Sequence, residues 1–544
     1  EEGRALLEVA GLDLHAVDAI ALVEQLEGWP AGLYLHALAN RDSPPGTTRS
    51  LEDTESFVAE YFREEIFAST SPEVVDFMIR TSLLDRMTGP LCDAVLERSG
   101  SLVVLDELVR SNRFVVPMDV HREWFRYHHL FRALLQEELA RRTTDLAETL
   151  HLRASEWFEA HGDVDSAIHH AHAAGDRSHV ATLIWCSTHQ YVGSGRAPTV
   201  KRWLELFSSD EISTDAALSL TAAWCALTAG DPGELIAWTD FAESACGNNV
   251  LPDGTSRRAM VALLRALDGR DGLSQMRSDA ADANVLDRPE SPFRSIAFLL
   301  EGEASRLLDD VPHARDCFTR AIAHGSILTP ALHAQGLASM SVLAADSDEW
   351  QQAEVLSRRA LDVVDAYELH DCPDMSRVFS IAALTAARTG ATTKAREHAK
   401  RAAALMVAMH GIAPWNAIEA RILLGRFSIS VGDPAHARQI LSEAEHELHN
   451  YPDSGSLPDR LNAANQQLAI SELPISISVQ PLTAAELRVL HYLPTHLTFA
   501  QIAEELFVSR STVKTQAVAV YRKLEVSSRN EAVDRARDLG IVLA

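Results

Sequence analysis

Fifteen residues near the C-terminus, SRSTVKTQAVAVYRK from Ser509 to Lys523, combine hydroxyls, cations and an apolar stripe at helical spacing. Val513, Ala517, Val520 and Leu524 recur at i, i+4, i+7 and i+11, which marks one face of an α-helix. Lys514, Thr515, Val518 and Arg522 fall on the other side, with Gln516 and Lys523 on the flanks. Ser509, Ser511 and Thr512 stand at the start, where hydroxyls and free backbone amides grip phosphate. Lys514 has the reach for phosphate or guanine acceptors, and Thr515 and Val518 suit base edges or a thymine methyl. The chemistry expected of this helix is non-covalent contact with double-stranded DNA in the major groove.

Such a helix must be held by others, and the flanking sequence supplies their starts. Thr483 with Glu486, Thr498 with Gln501 and Ser528 with Glu531 read as three capping boxes, and Gly540 reads as a closing residue. The short FVSRS segment joins the second and third helices as the turn of a helix-turn-helix. Charge agrees. From Pro481 onward eight Arg and Lys face seven Asp and Glu, whereas the whole chain carries −28 from 49 basic and 77 acidic residues. An acidic chain cannot coat nucleic acid or an anionic membrane indiscriminately, so contact with DNA is left to one face.

These residues carry a resemblance. The stretch from LTAAELRVL through STVKT, YRKL and SSRNEAVDRARDLG resembles the LuxR-type DNA-binding domain along its full length. Gln516, Ala517, Val518 and Ala519 stand where that family usually has His-Leu-x-Asn. The resemblance implies an operator-binding domain, working on DNA as a homodimer in one arrangement it allows.

The rest of the 544 residues are too many for one core. With 47% hydrophobic but only 6% aromatic residues, the composition favours helices packed on helices, a mainly all-α protein. Five segments are expected: 1–40, which a resemblance to MalT-like regulators makes the C-terminal remnant of an ATPase module; 41–146, a winged-helix-like domain; 147–450, TPR-like helical repeats; 451–480, a linker; and 481–544, the helix-turn-helix domain. The winged helix follows from helices succeeded by NRFVVPMDV and EWFRYHHLF, which read as a two-stranded hairpin and a further helix. The repeats follow from turns near 309, 348, 390 and 432, each with Gly or Asp ahead of an Ala-rich amphipathic helix. That is the pattern of a helical-hairpin solenoid similar to tetratricopeptide repeats.

The first 470 residues also look like the matching parts of the large MalT-like regulators of the LuxR group, signal-transduction ATPases of the STAND type. That resemblance rests on EGWPAGL, SFVAEYFREEIF, the SNRFVV to LLQEEL stretch and ASEWFEAHGDVDSAIHHA. It implies ATP or ADP as the cofactor of a longer form, with Pro30 beside the adenine and His128 sensing phosphate. None of the 26 glycines precedes a Lys, so the phosphate-cradling G-x-x-x-x-G-K-[ST] loop is absent and no cofactor or ATPase activity is expected of these residues themselves. The chain opens on Glu1 and reads as part of something longer.

Other constellations offer less. His169, His170 and His172, and His446 with His449, have metal-like spacing, yet no Cys or paired carboxylate beside them completes a site, and no metal is expected. The six cysteines form no C-x-x-C pair, and no apolar run spans a bilayer, so a cytoplasmic, membrane-free protein is expected. The combined reading is a sequence-specific transcriptional regulator whose repeats sense a small-molecule or protein effector. Two alternatives stay open: a protein-interaction scaffold with a degenerate DNA-binding domain, and part of an ATP-dependent switch whose P-loop lies upstream.

Overall fold

A computed structural model describes residues 2–9, 16–25, 29–40, 62–111, 114–142, 144–407, 413–472, 482–524, 526–538 and 541–542. Pro44, Pro45 and Gly46, whose composition marks a polar break, and Gly540 lie outside these residues. The chain divides into two units, Glu1–Ala464 and Asn465–Ala544.

The first unit begins with helices Glu2–Val9, Ala16–Gln25 and Pro30–Ala39, which enclose Leu7, Ala19, Leu22, Leu33 and Ala37. Helices Pro72–Thr81 and Gly89–Leu96 each start on a hydroxyl cap, Ser71 and Thr88, that accepts a backbone amide hydrogen bond. After helix Ser101–Arg110 come antiparallel strands β1 (Val115–Pro117) and β2 (Phe125–Tyr127), with Val115 opposite Tyr127 and Pro117 opposite Phe125. The Asp119 carboxylate closes the hairpin by accepting from the amides of Glu123 (3.1 Å) and Trp124 (2.7 Å). Helix His129–Ala140 follows, so helices, hairpin and helix occur in the order the sequence predicts.

Paired helices then fill the chain, among them Ala216–Ala229 with Pro232–Ser244, Arg294–Leu307 with Val311–Leu328, and Pro414–Ser430 with Pro434–His449. The recurring punctuation has a physical cause. Gly230 and Gly432 adopt left-handed backbone that ends one helix, as do Asp309 and Asp348 at the equivalent turns. Where Asp follows, its carboxylate caps the next helix: Asp231 accepts from the Glu234 amide (3.0 Å) and Asp433 from the His436 amide (3.1 Å). Small residues let the paired helices approach closely. A Cβ on Gly425 would lie 2.5 Å from Leu441, and Ala437 and Ala444 are fully buried.

Inside the repeats lies a charged cluster. The Arg306 guanidinium donates to Glu303 (2.8 Å) and to both oxygens of Glu419 (2.6 Å each). Arg377 donates to Glu303 and, at 2.9 Å, to the Ser339 hydroxyl. Four helices, Arg294–Leu307, Pro330–Asp346, Ser376–Arg388 and Pro414–Ser430, bring these buried groups together.

The segment read as a linker from 451 is partly a packed element. Tyr451 donates its hydroxyl to the Gly269 carbonyl (2.7 Å), the Leu273 amide donates to the Asp453 carbonyl (3.0 Å), and helix Leu457–Glu472 buries Leu457 and Leu461. Proline and serine mark a chain reversal here rather than a spacer. Residues 473–481 lie outside the description.

The second unit holds helices Ala484–Tyr492, Phe499–Glu505, Arg510–Lys523 and Arg529–Asp538 around Val489, Leu490, Ile502, Val513, Ala517, Val520, Leu524 and Ala532.

Candidate nucleic-acid interface

Two reciprocal caps set the first two helices of this unit. The Thr483 amide donates to Glu486 (2.6 Å) and the Thr498 amide to Gln501 (2.9 Å), while each hydroxyl accepts in return. The third cap differs from expectation. Ser528 accepts from the Glu531 amide (3.3 Å), but the Glu531 carboxylate takes the amide and hydroxyl of Ser527 (2.9 and 3.0 Å), one residue further back. Arg529 ties the last helix to the end of the first by donating to the carbonyls of Leu493 (2.8 Å) and Thr495 (2.7 Å).

Against this frame stands helix Arg510–Lys523. Its buried stripe is Val513, Ala517 and Val520. Ser509 is the N-cap: its hydroxyl accepts from the Thr512 amide (3.1 Å) and lies 2.7 Å from the hydroxyls of Ser511 and Thr512. Lys514, Thr515, Val518 and Arg522 are exposed, and Thr512 and Gln516 half-buried. The Thr515 hydroxyl donates to the Ser511 carbonyl (2.9 Å), which leaves its lone pairs outward as acceptors. Lys514 and Arg522 have no ion-pair partner among the described residues.

Lys523 is the correction. Its ammonium lies 2.6 Å from Glu486 with only 11% of the side chain exposed, so it ties this helix to the first one instead of facing outward. The i+10 position relative to Val513 rotates it toward the frame, which a flat reading of the charged face obscures. Sequence reasoning missed Arg510, exposed at the first turn, and Phe507, 96% exposed in the left-handed turn between the paired helices. Both lie inside the quoted FVSRS segment, where position beside the N-terminus was the available signal.

At the other end, Trp29 packs edge-on against Phe114 (ring centroids 5.2 Å) and His128 (6.0 Å). The GWP element and the winged-helix histidine thus meet, but through Trp29. Pro30 is exposed at a helix start, whereas His128 is 6% exposed and stacked on His129. Among the flagged histidines, His170 is buried against Phe158, and its Nδ1 lies 2.9 Å from that of His151. Burial lowers the His170 imidazole to about 3.

Within the repeats a cavity of about 130 Å³ is lined by Trp185, His189, Trp224, Arg288 and Phe293. Trp224 stacks on Phe293 (5.9 Å), and its indole N–H is buried with no hydrogen-bond partner among the described residues. The Trp185 N–H, in contrast, donates to Asp253 (2.8 Å).

Comparison with known proteins follows the same division. Residues 63–147 match the MalT winged helix domain, and residues 480–536 match the bacterial regulatory proteins of the luxR family. The C-terminal segment is a LuxR-type helix-turn-helix domain of the DNA-binding class. With a MalT-type winged helix near its other end, the chain is MalT-like. It is 27% identical over 296 residues to serine/threonine-protein kinase PknK of Mycobacterium tuberculosis (strain ATCC 25618 / H37Rv), covering 54% of this chain and 27% of that protein. It is 26% identical over 205 residues to the HTH-type transcriptional regulator MalT of Vibrio campbellii, covering 37% of this chain and 23% of that protein. The MalT of Klebsiella pneumoniae is 31% identical over 167 residues, 30% of this chain and 18% of its own length. The chain therefore spans about a quarter of the curated relatives it matches. A crystal structure of a STAND protein with a tetratricopeptide repeat sensor from Pyrococcus horikoshii superposes with a TM-score of 0.47 at 12% identity, over 86% of this chain and 74% of that one. No helix among the described residues is long and apolar enough to cross a membrane.

Proposed function

We propose that this chain is the effector-sensing and DNA-binding portion of a transcriptional regulator. The observation that carries the reading is helix Arg510–Lys523: a capped N-terminus with three hydroxyls, followed by Lys514 and Arg522, without ion-pair partners among the described residues, on a face that the fold leaves exposed. Hydroxyls and free amides hold phosphate, the cations add the salt-dependent part of affinity, and Thr515 and Val518 are set to read base edges. The repeats supply the sensing half. Their cavity has aromatic walls, a buried indole donor awaiting an acceptor, and Arg288 at its rim. A compact molecule that stacks and accepts a hydrogen bond fits that lining. Nucleotide would be bound only where an upstream segment supplied a P-loop; residues 1–544 alone are expected to turn over no ATP.

Fluorescence anisotropy with genomic fragments tests the DNA half. Preference for particular fragments over bulk DNA, lost in the Lys514→Ala and Thr515→Ala double variant, is the expected result. Equal binding by wild type and variant would favour the scaffold alternative.

A further inference from the structure

Away from both the DNA-facing helix and the aromatic cavity, three side chains that sequence spacing left apart converge on one repeat. His313 and Cys317, four residues apart on helix Val311–Leu328, share a face. Glu301, on the preceding helix Arg294–Leu307, points at them. His313 Nε2 lies 2.8 Å from Glu301 Oε1 and 3.5 Å from Cys317 Sγ, and the three ligand atoms all fall within 4.8 Å of one another.

We propose that Glu301, His313 and Cys317 form a binding site for a divalent cation of the zinc class, with water as the fourth ligand.

Geometry is the first support. A tetrahedral ion at about 2.0–2.1 Å from N and O and about 2.3 Å from S has ligand–ligand edges of about 3.3–3.6 Å. The sulfur–nitrogen edge is already that long, and the nitrogen–oxygen edge needs to open by about half an ångström. Charge is the second. Glu301 is 9% exposed, and among the described residues its one basic neighbour is His313, with no Arg or Lys beside it. With His313 neutral the buried carboxylate has no cation beside it, and a bound ion ligated by both would supply one.

The third support lies in what surrounds the ligands. Asn284, 7% exposed, donates from Nδ2 to Glu301 Oε2 (2.8 Å) and orients the carboxylate, yet its own Oδ1 is buried with no hydrogen-bond partner among the described residues. A metal-bound water is a donor of the kind that oxygen lacks, and such outer contacts accompany metal sites. Access is provided by His313, whose side chain is 43% exposed, while Cys317 sits 2% exposed beneath it. One thiolate, one imidazole and one carboxylate form a borderline-soft set that suits zinc over magnesium or calcium. On binding, Cys317 Sγ–H releases its proton to solvent as the metal–sulfur bond forms. The ion would join the two helices of one hairpin.

Cobalt(II) titration of the full chain tests this. One equivalent is expected to give a thiolate-to-cobalt charge-transfer band and tetrahedral d–d bands, both abolished by added zinc. Cys317→Ala should lose the charge-transfer band. His313→Gln, at a half-exposed position that leaves packing intact, should weaken binding at least about tenfold with an unchanged circular-dichroism spectrum. Cys186→Ala, at an exposed cysteine elsewhere, should leave the band in place. No band at saturating cobalt, or a band that survives Cys317→Ala, would overturn the site.

Discussion

The helix-turn-helix unit and the repeats are both helices packed on helices, yet they secure that packing differently. The C-terminal core is apolar, and its one well-covered ion pair among the described residues, Glu486 with Lys523, sits where the first and third helices meet. The repeats bury Arg306, Arg377, Glu303 and Glu419 together, joined across as many as 113 residues of sequence. An apolar core accepts many arrangements of similar volume. A buried charge cluster accepts few, because each displaced partner strands another charge. In a solenoid, where every hairpin resembles its neighbour and a slip by one repeat is the obvious error, such a cluster distinguishes one stacking register from the next.

The comparison predicts unequal damage. Glu419→Gln leaves two buried guanidiniums short of a carboxylate and is expected to cost about 3–5 kcal/mol in the repeats, read as an earlier urea transition of the full chain. The C-terminal unit should keep its own transition. Burial alone would raise the Glu419 carboxyl, but Arg306, Arg377 and Arg460 outweigh that and hold it well below its usual range. Its contribution is therefore present above about pH 4.3, the ordinary carboxyl value, and fades as pH falls further toward the depressed one. A repeat transition that does not move between pH 7 and pH 3 would break the comparison.

What could be read beforehand follows the same line. Caps and stripes are local, so Thr483, Thr498, Val513 and Val520 disclosed their helices directly. The Gly-Asp punctuation did likewise, because a left-handed residue and a capping carboxylate are neighbours in sequence as well as in space. Glu303 and Arg306 look like an ordinary surface pair at i, i+3, and nothing near them announces Glu419. Glu301, His313 and Cys317 were hidden for the same reason: two share a helix, but the third arrives from its partner helix. The reversal at 451–464 was misread because its purpose, contact with Gly269, Leu273 and Leu307, lies some 150–180 residues away.

Within the C-terminal unit, two lysines nine residues apart sharpen the contrast between holding and reading. Lys523→Ala removes a charge-assisted bond to Glu486 and should cost about 1.5–3 kcal/mol in stability of this unit. Its effect on the salt dependence of DNA binding should be nil once the unit is folded. Lys514→Ala should do the reverse, leaving the melting temperature in place. If Lys514 meets phosphate, the log-salt slope shrinks by about one; if it reads guanine, discrimination at one base pair falls by about 1–3 kcal/mol. Swapped phenotypes would mean that the exposed face of helix Arg510–Lys523 has been misassigned.

The smallest effect concerns what the two regions share. Asp433 caps a repeat helix and Thr498 caps the first helix of the helix-turn-helix pair, each satisfying an amide that the helix itself cannot. Because a cap is local, replacing either with Ala should cost about 1 kcal/mol, whatever surrounds it. Thr498→Ala loses both bonds of the hydroxyl, from the Gln501 amide and to the Gln501 side chain, but Gln501 still reaches the residue-498 amide, so its cost should stay near that figure. Asp433→Ala has no second arm among the described contacts and should reach it in full. Both are measurable as shifts in the urea midpoint of the corresponding transition at constant slope. A cost at Asp433 several times that at Thr498 would show that the repeat turns couple to their neighbours, and that the solenoid draws its register from its turns as well as from its buried charges.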